Sequence, residues 1–398
     1  MTTAFRDAKR IVIKVGTSTI TYANGKMNLT QMERLVRYIS DMVNEGRQVV
    51  VVTSGAMGAG TSRLGLKERP RTIPEKQAVC AVGQSILMET YGKLFAEYNQ
   101  VVAQILLTRE DITERRRHLN ARHTLIQLLR MSVVPIVNEN DTVAVDEIKF
   151  GQNDTLASLV AGLIGADLLI ILTDVDGLYS MDPKLGKGER IPLVTEITPE
   201  IEALAGGPGS HLGSGGMMSK IQAARIATLS GSAVVIAHGR ADGILRRILN
   251  GESVGTLFVP SDHKLGSRKR WIAFYQQPQG DVIVDEGAAR ALVAEGKSLL
   301  PSGIVGVHGF FEEGHLVRIL DEKGNELARG LSNYKSEDIR QIRGMKTSQI
   351  SEKLGHKIYD EVVHRDNMVL STRLKANGMK PDESGGMAAS GAGGELHG

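Results

Sequence analysis

Two lysines stand where a lysine is costly. Lys14 lies inside the apolar run Ile11–Val15. A charge within a buried strand is expensive unless its ammonium reaches a partner at the strand end. The plainer explanation is an edge strand with that ammonium in water. The turn Gly16-Thr17-Ser18 that follows favours the other one, because small residues after a strand let backbone N–H groups approach phosphate oxygens. Lys220 closes the stretch Leu212-Gly213-Ser214-Gly215-Gly216-Met217-Met218-Ser219-Lys220, which opens a helix expected to run to about Ser230. A glycine loop at a helix N-terminus attracts anions through its amides and the helix dipole. The alternative is a flexible connector. The loop is not a P-loop, because Ile221 follows Lys220, nor is it G-x-G-x-x-G, because position 218 is Met.

Asn138-Glu139-Asn140-Asp141 and Gly151-Gln152-Asn153-Asp154 supply amides and carboxylates, the second just before the helical stretch Thr155–Ile164. Asn153 or Asp154 could simply cap that helix, and a carboxylate at this point could also orient both lysines. The ten histidines are scattered, and no nucleophile elbow or His-Glu-x-x-His motif occurs. The single Cys80 excludes an internal disulfide and a multi-cysteine metal site. Its apolar helical surroundings make it a small buried side chain. Two lysines, glycine loops, amides and carboxylates, with no activated nucleophile, suit phosphoryl transfer, in which the protein positions reactants and neutralises developing charge.

These residues need a scaffold that brings loops together. Ile11–Val15, Val49–Val52, Val101–Leu107, Val133–Val137, Leu168–Leu172 and Ala233–Ala237 are short, β-branched and bounded by turn residues, as buried strands are. Amphipathic stretches lie between them. One begins at Thr30 with Glu33 at capping-box spacing, carries Met32, Leu35, Val36, Ile39, Met42 and Val43 on one face, and ends at Gly46. Strand alternating with helix predicts an α/β fold, an open and mainly parallel sheet sandwiched by helices. Ligands bind such sheets at the carboxyl ends of the strands, which here run into Gly16-Thr17-Ser18, Thr53-Ser54-Gly55-Ala56, Asn138–Asp141 and Thr173-Asp174.

The chain has 398 residues, enough for two domains. The texture divides it into a first domain over 1–262, a basic linker over 263–270, a small mainly-β domain over 271–370 and a glycine-rich disordered tail over 371–398. The 48 Lys+Arg against 45 Asp+Glu leave a net charge of +3, too slight to imply a nucleic-acid or membrane partner. No signal peptide or membrane-spanning run is present, so the expected place is the cytoplasm.

Together, Ile-Lys-Val-Gly-Thr-Ser at 13–18, Val-Thr-Ser-Gly-Ala at 52–56, Asn-Glu-Asn-Asp at 138–141, Asn-Asp at 153–154 and Gly-Ser-Gly-Gly-Met at 213–217 resemble the amino acid kinase family. Leu106–Arg109, Phe150–Asp154, Arg268–Ile272, Val284–Ala288 and Val363–Asp366 extend the likeness to those members that act on free glutamate and carry a C-terminal PUA-like domain. The resemblance implies an ATP-dependent phosphorylation of the glutamate side-chain carboxylate, the first step toward proline. Lys14 and Lys220 would flank the transferred phosphoryl group, and Asp154 would hold both lysines. Ser54 and Asn153 would bind the carboxylates of L-glutamate, and Asp141 its ammonium. Lys14, Thr173, Asp174 and the loop Ser214, Gly215, Gly216, Met217, Met218, Ser219 and Lys220 would hold ATP, with Mg²⁺ carried mostly by phosphate and water. The likeness also implies feedback inhibition by proline, a homo-oligomer, and hand-off of the labile product to glutamyl phosphate reductase. A kinase for acetylglutamate, aspartate, carbamate or UMP, or an RNA-binding protein with a vestigial kinase domain, are the rivals. Residues 271–370 carry 12 Lys+Arg against 15 Asp+Glu, a net −3, which argues against RNA.

Overall fold

The computed structural model describes residues 5–22, 24–68, 70–143, 153–181, 188–205, 216–260, 278–354 and 359–371. The expected linker at 263–270 and all but the first residue of the expected tail lie outside the described residues. The chain forms two compact units, one over Met1–Pro278 and one beginning at Gln279, with a short exchange near residue 366.

The first unit is built on an eight-stranded sheet. Its strands are β1 (Arg10–Val15), β2 (Gln48–Thr53), β3 (Val102–Leu107), β4 (Val134–Glu139), β5 (Leu168–Thr173), β8 (Leu193–Val194), β9 (Ala233–His238) and β10 (Thr256–Phe258), in the order β3-β4-β2-β1-β5-β9-β10-β8. A separate two-stranded ribbon pairs β6 (Leu178–Tyr179) with β7 (Arg190–Ile191). The six strands from β3 to β9 are all parallel, and β10 runs antiparallel to β9. All six strands expected from the sequence form, each within a residue or two of its expected ends.

The helices of this unit are α1 (Thr17–Ile20), α2 (Leu29–Asn44), α3 (Ala56–Arg63), α4 (Ile73–Ala96), α5 (Arg109–Thr113), α6 (Arg115–Arg130), α7 (Asn153–Ile164), α8 (Pro199–Leu204), α9 (Met217–Leu229) and α10 (Ile244–Leu249). Met32, Leu35, Val36, Ile39 and Met42 of α2 are buried, as its periodicity requires. Its start differs from the expected one. Asn28 is the cap, its side chain accepting from Gln31 N at 3.1 Å, and Glu33 binds Arg37 and Tyr98 instead. Asparagine is as strong a cap as any, and it lies two residues before the threonine. Gly46 ends the helix with φ +85°, its N–H on Val43 O and that of Arg47 on Met42 O.

Pleating separates the two faces of β1. Ile11, Ile13 and Val15 pack in one core with α2, α4 and α10. Val12 and Lys14 project to the opposite face, where α7 lies across β1 and against α6 and α9. Nearly every residue of α7 is buried, as suits a helix covered by sheet on one side and helices on the other.

The second unit is a five-stranded sheet, β11 (Gly280–Val284), β12 (Ile304–Gly309), β13 (Leu316–Asp321), β14 (Glu326–Leu331) and β15 (Met368–Leu370), in the order β12-β11-β13-β14-β15. β13 and β14 form a hairpin, its turn drawn in by Asp321, which accepts from Lys323 N and Asn325 N. Helices at Glu286–Glu295, Ser336–Ile342 and Ile350–Leu354 accompany the sheet.

Candidate active site

β1 lies in the middle of the sheet, between β2 and β5. The chain places β2, β3 and β4 on one side of β1, with β4 between β2 and β3, then resumes on the other side with β5, so the crevice at its carboxyl end is a topological switch point. The edge-strand reading of Lys14 is thereby excluded. Lys14 is 7% exposed and its ammonium is inside the molecule.

There it meets Asp154, which is 1% exposed at the start of α7. Lys14 Nζ is 2.7 Å from Asp154 Oδ1, and Lys220 Nζ is 3.2 Å from Oδ2. Lys220, 4% exposed, stands in the first turn of α9, so one carboxylate bridges a strand and a second helix. Ser219 Oγ is 3.1 Å from the same Oδ2 and 2.8 Å from Gly216 O. Burial opposes ionisation of Asp154, but the two ammonium groups outweigh it and hold the carboxyl below its usual 3.8. Burial pushes Lys14 down from 10.5, and Asp154 offsets part of that fall. Two ammonium groups on one carboxylate give this buried trio a net charge of +1. Its chemistry therefore fits an incoming anion.

Gly16 follows Lys14 closely. A Cβ there would sit 3.4 Å from Lys14 Nζ and 3.2 Å from Leu172 O, so glycine keeps the space beside the ammonium open. The Gly16 N–H is committed to Leu172 O at 3.2 Å. The amides left to face a phosphate are those of Thr17 and Ser18, at the start of α1. Arg240 braces this turn by donating to Ser18 O and Thr21 O. At the end of β5, the Thr173 hydroxyl donates to Asp174 Oδ1 at 3.0 Å, and Asp174 is exposed. Gly216, Met217, Met218 and Ser219 are half-buried around the start of α9, while Ser214 and Gly215 lie outside the described residues.

A second cluster joins the ends of β2 and β4 to α7. Asn153 Nδ2 lies 2.6 Å from Thr53 O, 2.9 Å from Ser54 Oγ and 2.9 Å from Asn138 Oδ1. Its nitrogen is thus occupied by protein acceptors, and the Ser54 hydroxyl, as an acceptor here, keeps its proton for a further partner. Asp141 follows Asn138 in the turn after β4, half exposed. Asn138 in turn donates to Gln84 Oε1 at 2.8 Å. Gln84 is absent from the residues to which the sequence motifs point, and Asn138 stands there only as one of several amides. The available signal was a glutamine in the apolar middle of α4, where burial of a polar side chain calls for a partner.

A family model described as the amino acid kinase family matches residues 9–238, and one described as the PUA domain matches residues 280–354. The chain belongs to the amino acid kinase family. Other members of that family resemble it along nearly their whole length. Proteins named glutamate 5-kinase from Moorella thermoacetica and from Thermoanaerobacter sp. are 57% and 54% identical over 92% of this chain, covering 97% and 98% of their own lengths. One from Geobacter sp. is 47% identical over the same share. The matched amino acid kinase segment contains every described residue of both clusters, Lys14, Ser54, Gln84, Asn138, Asn153, Asp154, Ser219 and Lys220.

Proposed function

We propose that the chain transfers the γ-phosphoryl group of ATP to the side-chain carboxylate of L-glutamate, forming glutamyl 5-phosphate at the first step of proline biosynthesis. The observation that carries this reading is the buried Lys14–Asp154–Lys220 trio at the switch point of the sheet. Relatives named glutamate 5-kinase at 47–57% identity direct it to glutamate. A carboxylate oxygen of the substrate attacks the γ-phosphorus, the bond from that phosphorus to the β–γ bridging oxygen breaks, and ADP leaves. The nucleophile is already ionised at neutral pH, since a free Glu side chain titrates at about 4.3. No general base is required, and the protein supplies charge and position.

In this reading Lys14 and Lys220 approach the transferred group from β1 and α9. Asp154 keeps the two ammonium groups apart and aimed. Ser54 donates its free proton to a substrate carboxylate and Asp141 meets the ammonium. Asn153, expected to bind a carboxylate through its amide, has its nitrogen taken by Thr53, Ser54 and Asn138 and offers its carbonyl oxygen to the ammonium instead. Thr173, Asp174 and the α9 loop hold the nucleotide. Among the described residues there is no group of three His, Cys, Asp or Glu side chains placed to hold a metal ion. Mg²⁺ would be held mostly by phosphate and water, as it usually is, and would supply charge neutralisation on the nucleotide. No helix among the described residues is long and apolar enough to cross a membrane.

The test is ADP release from Mg·ATP with free glutamate, acetylglutamate, aspartate and UMP side by side, with hydroxylamine present to trap an acyl phosphate. Hydroxamate formed with free glutamate alone is the expected result. Turnover with a different substrate in the set would overturn the assignment to glutamate. Lys220→Ala is expected to abolish transfer while glutamate still protects the fold against heat. Proline, as the family's implied feedback inhibitor, is expected to raise the apparent KM for glutamate.

A further inference from the structure

Gln84 sits on α4, outside the substrate residues named above, yet its side chain ends a line of three amides that leads into them. Asn153 Nδ2 donates to Asn138 Oδ1, and Asn138 Nδ2 donates to Gln84 Oε1. Asn138 is 3% exposed and Gln84 is 9% exposed, so neither amide has ready access to water. Gln84 Nε2 has no hydrogen-bond partner among the described residues. A buried amide left half-satisfied is costly and calls for a reason. We propose that Gln84 is a positioning residue for the glutamate site: its carbonyl oxygen locks the Asn138 amide, which locks Asn153 with its nitrogen inward and its carbonyl toward the substrate.

The direction of the line has physical consequences. Thr53 O only accepts, so the Asn153 nitrogen must face it. Ser54 Oγ then accepts from Asn153, and its proton is left for a carboxylate. A reversed Asn138 amide would set its nitrogen against Asn153 Nδ2 and its oxygen against Gln84 Oε1. Two like dipoles would then face each other in a site with no water to separate them. Asn153 Nδ2 donating to Asn138 Oδ1 and Gln84 Oε1 accepting from Asn138 Nδ2 together oppose that reversal. Without Gln84, Asn138 is oriented by Asn153 alone, its own nitrogen is left unpartnered, and the acceptor that helps to fix the plane of Asn153 is held less firmly. Polarity matters here because an amino acid presents an anion and a cation a few bonds apart, and the site must offer a donor to one and an acceptor to the other.

This inference rests on the glutamate reading, and the experiment separates the two. Gln84→Met keeps the length of the side chain and removes the amide. It is expected to raise KM for glutamate about tenfold, as for loss of a buried hydrogen-bond partner. KM for Mg·ATP should stay within about twofold and the melting temperature should change little, because removal of the half-satisfied Gln84 amide offsets the Asn138 nitrogen left unpartnered. Gln84→Glu returns an oxygen to Asn138 and is expected to restore the glutamate KM to within about threefold of wild type. Should the Met variant not fold, Gln84→Asn, one methylene shorter, withdraws the oxygen and is to show the same selective rise. An unchanged glutamate KM, or equal rises for both substrates, overturns the assignment of Gln84 alone. A wild-type protein that neither turns over glutamate nor gains thermal stability from it overturns both readings.

Discussion

Replacing Asp154 by Asn keeps its shape and removes its charge, leaving the ammonium groups of Lys14 and Lys220 buried side by side. Breaking a buried ion pair from one side costs about 3–5 kcal/mol. Asp154→Asn is therefore expected to lower the unfolding free energy by about that much at neutral pH and to cut kcat by about 100-fold or more, measured by urea melts and initial rates. The pH dependence has a definite sign. The folded carboxyl titrates below its usual 3.8. Its stabilisation is present above 3.8 and is lost as pH falls through the lower folded value, so the gap between wild type and variant should close only in that acid range. Lys14 acts at the other end of the scale, where burial lowers its titration from 10.5. The proposed transfer uses the charged form, so kcat/KM for Mg·ATP is expected to fall on an alkaline limb below 10.5. Bound phosphate should move that limb upward in kcat, which a pH series in both parameters checks. Ile11–Val15 reads as a buried strand with a lysine in it, but the same pattern suits an edge strand, and only the place of β1 in the sheet order decides between them.

Helix packing sets where Ser54 stands. α3 begins at Ala56, two residues beyond it, and crosses α4 at backbone distance. A Cβ on Gly83 would lie 1.7 Å from Ala56 O and 2.6 Å from Gly60 N. Gly83→Ala must push these helices apart and shift the turn that carries Ser54. We expect a loss of about 1–3 kcal/mol together with a raised glutamate KM, measured by thermal melts and kinetics on one preparation. The strands were legible because continuous β-branched runs bounded by turns have few other uses. Helix ends were less so. Thr30 and Asn28 both suit a cap, and the choice falls to Asn28 because Glu33 finds Arg37 and Tyr98, a residue far away in the chain.

All described catalytic and substrate candidates belong to the first unit. The second unit has its own sheet, in which Arg318 on β13 grips Asp281 on β11 with two bonds of 2.6 and 2.9 Å. Such a charge-assisted pair is worth about 1–3 kcal/mol. Arg318→Ala is expected to destabilise the second unit by that amount and leave kcat within about twofold of wild type, read by a melt and a rate assay. A large fall in kcat would show that the second unit takes part in turnover.

Length, texture and the order of short motifs suffice to expect two domains, a parallel α/β sheet, a phosphate-handling chemistry, and two lysines and a carboxylate as its candidates. Those features follow from local regularities: runs that must be buried, glycines at turns, and charges too costly to bury without purpose. The tertiary structure decided which partners they find. It placed Lys14 at the centre of the sheet, joined it to Lys220 through Asp154, and turned the Asn153 nitrogen inward onto Thr53, Ser54 and Asn138. It also drew Gln84, 54 residues before Asn138, into the same line of amides. A hydrogen bond between residues so far apart leaves no trace in local pattern, because its geometry exists only once α4, β4 and α7 have packed together.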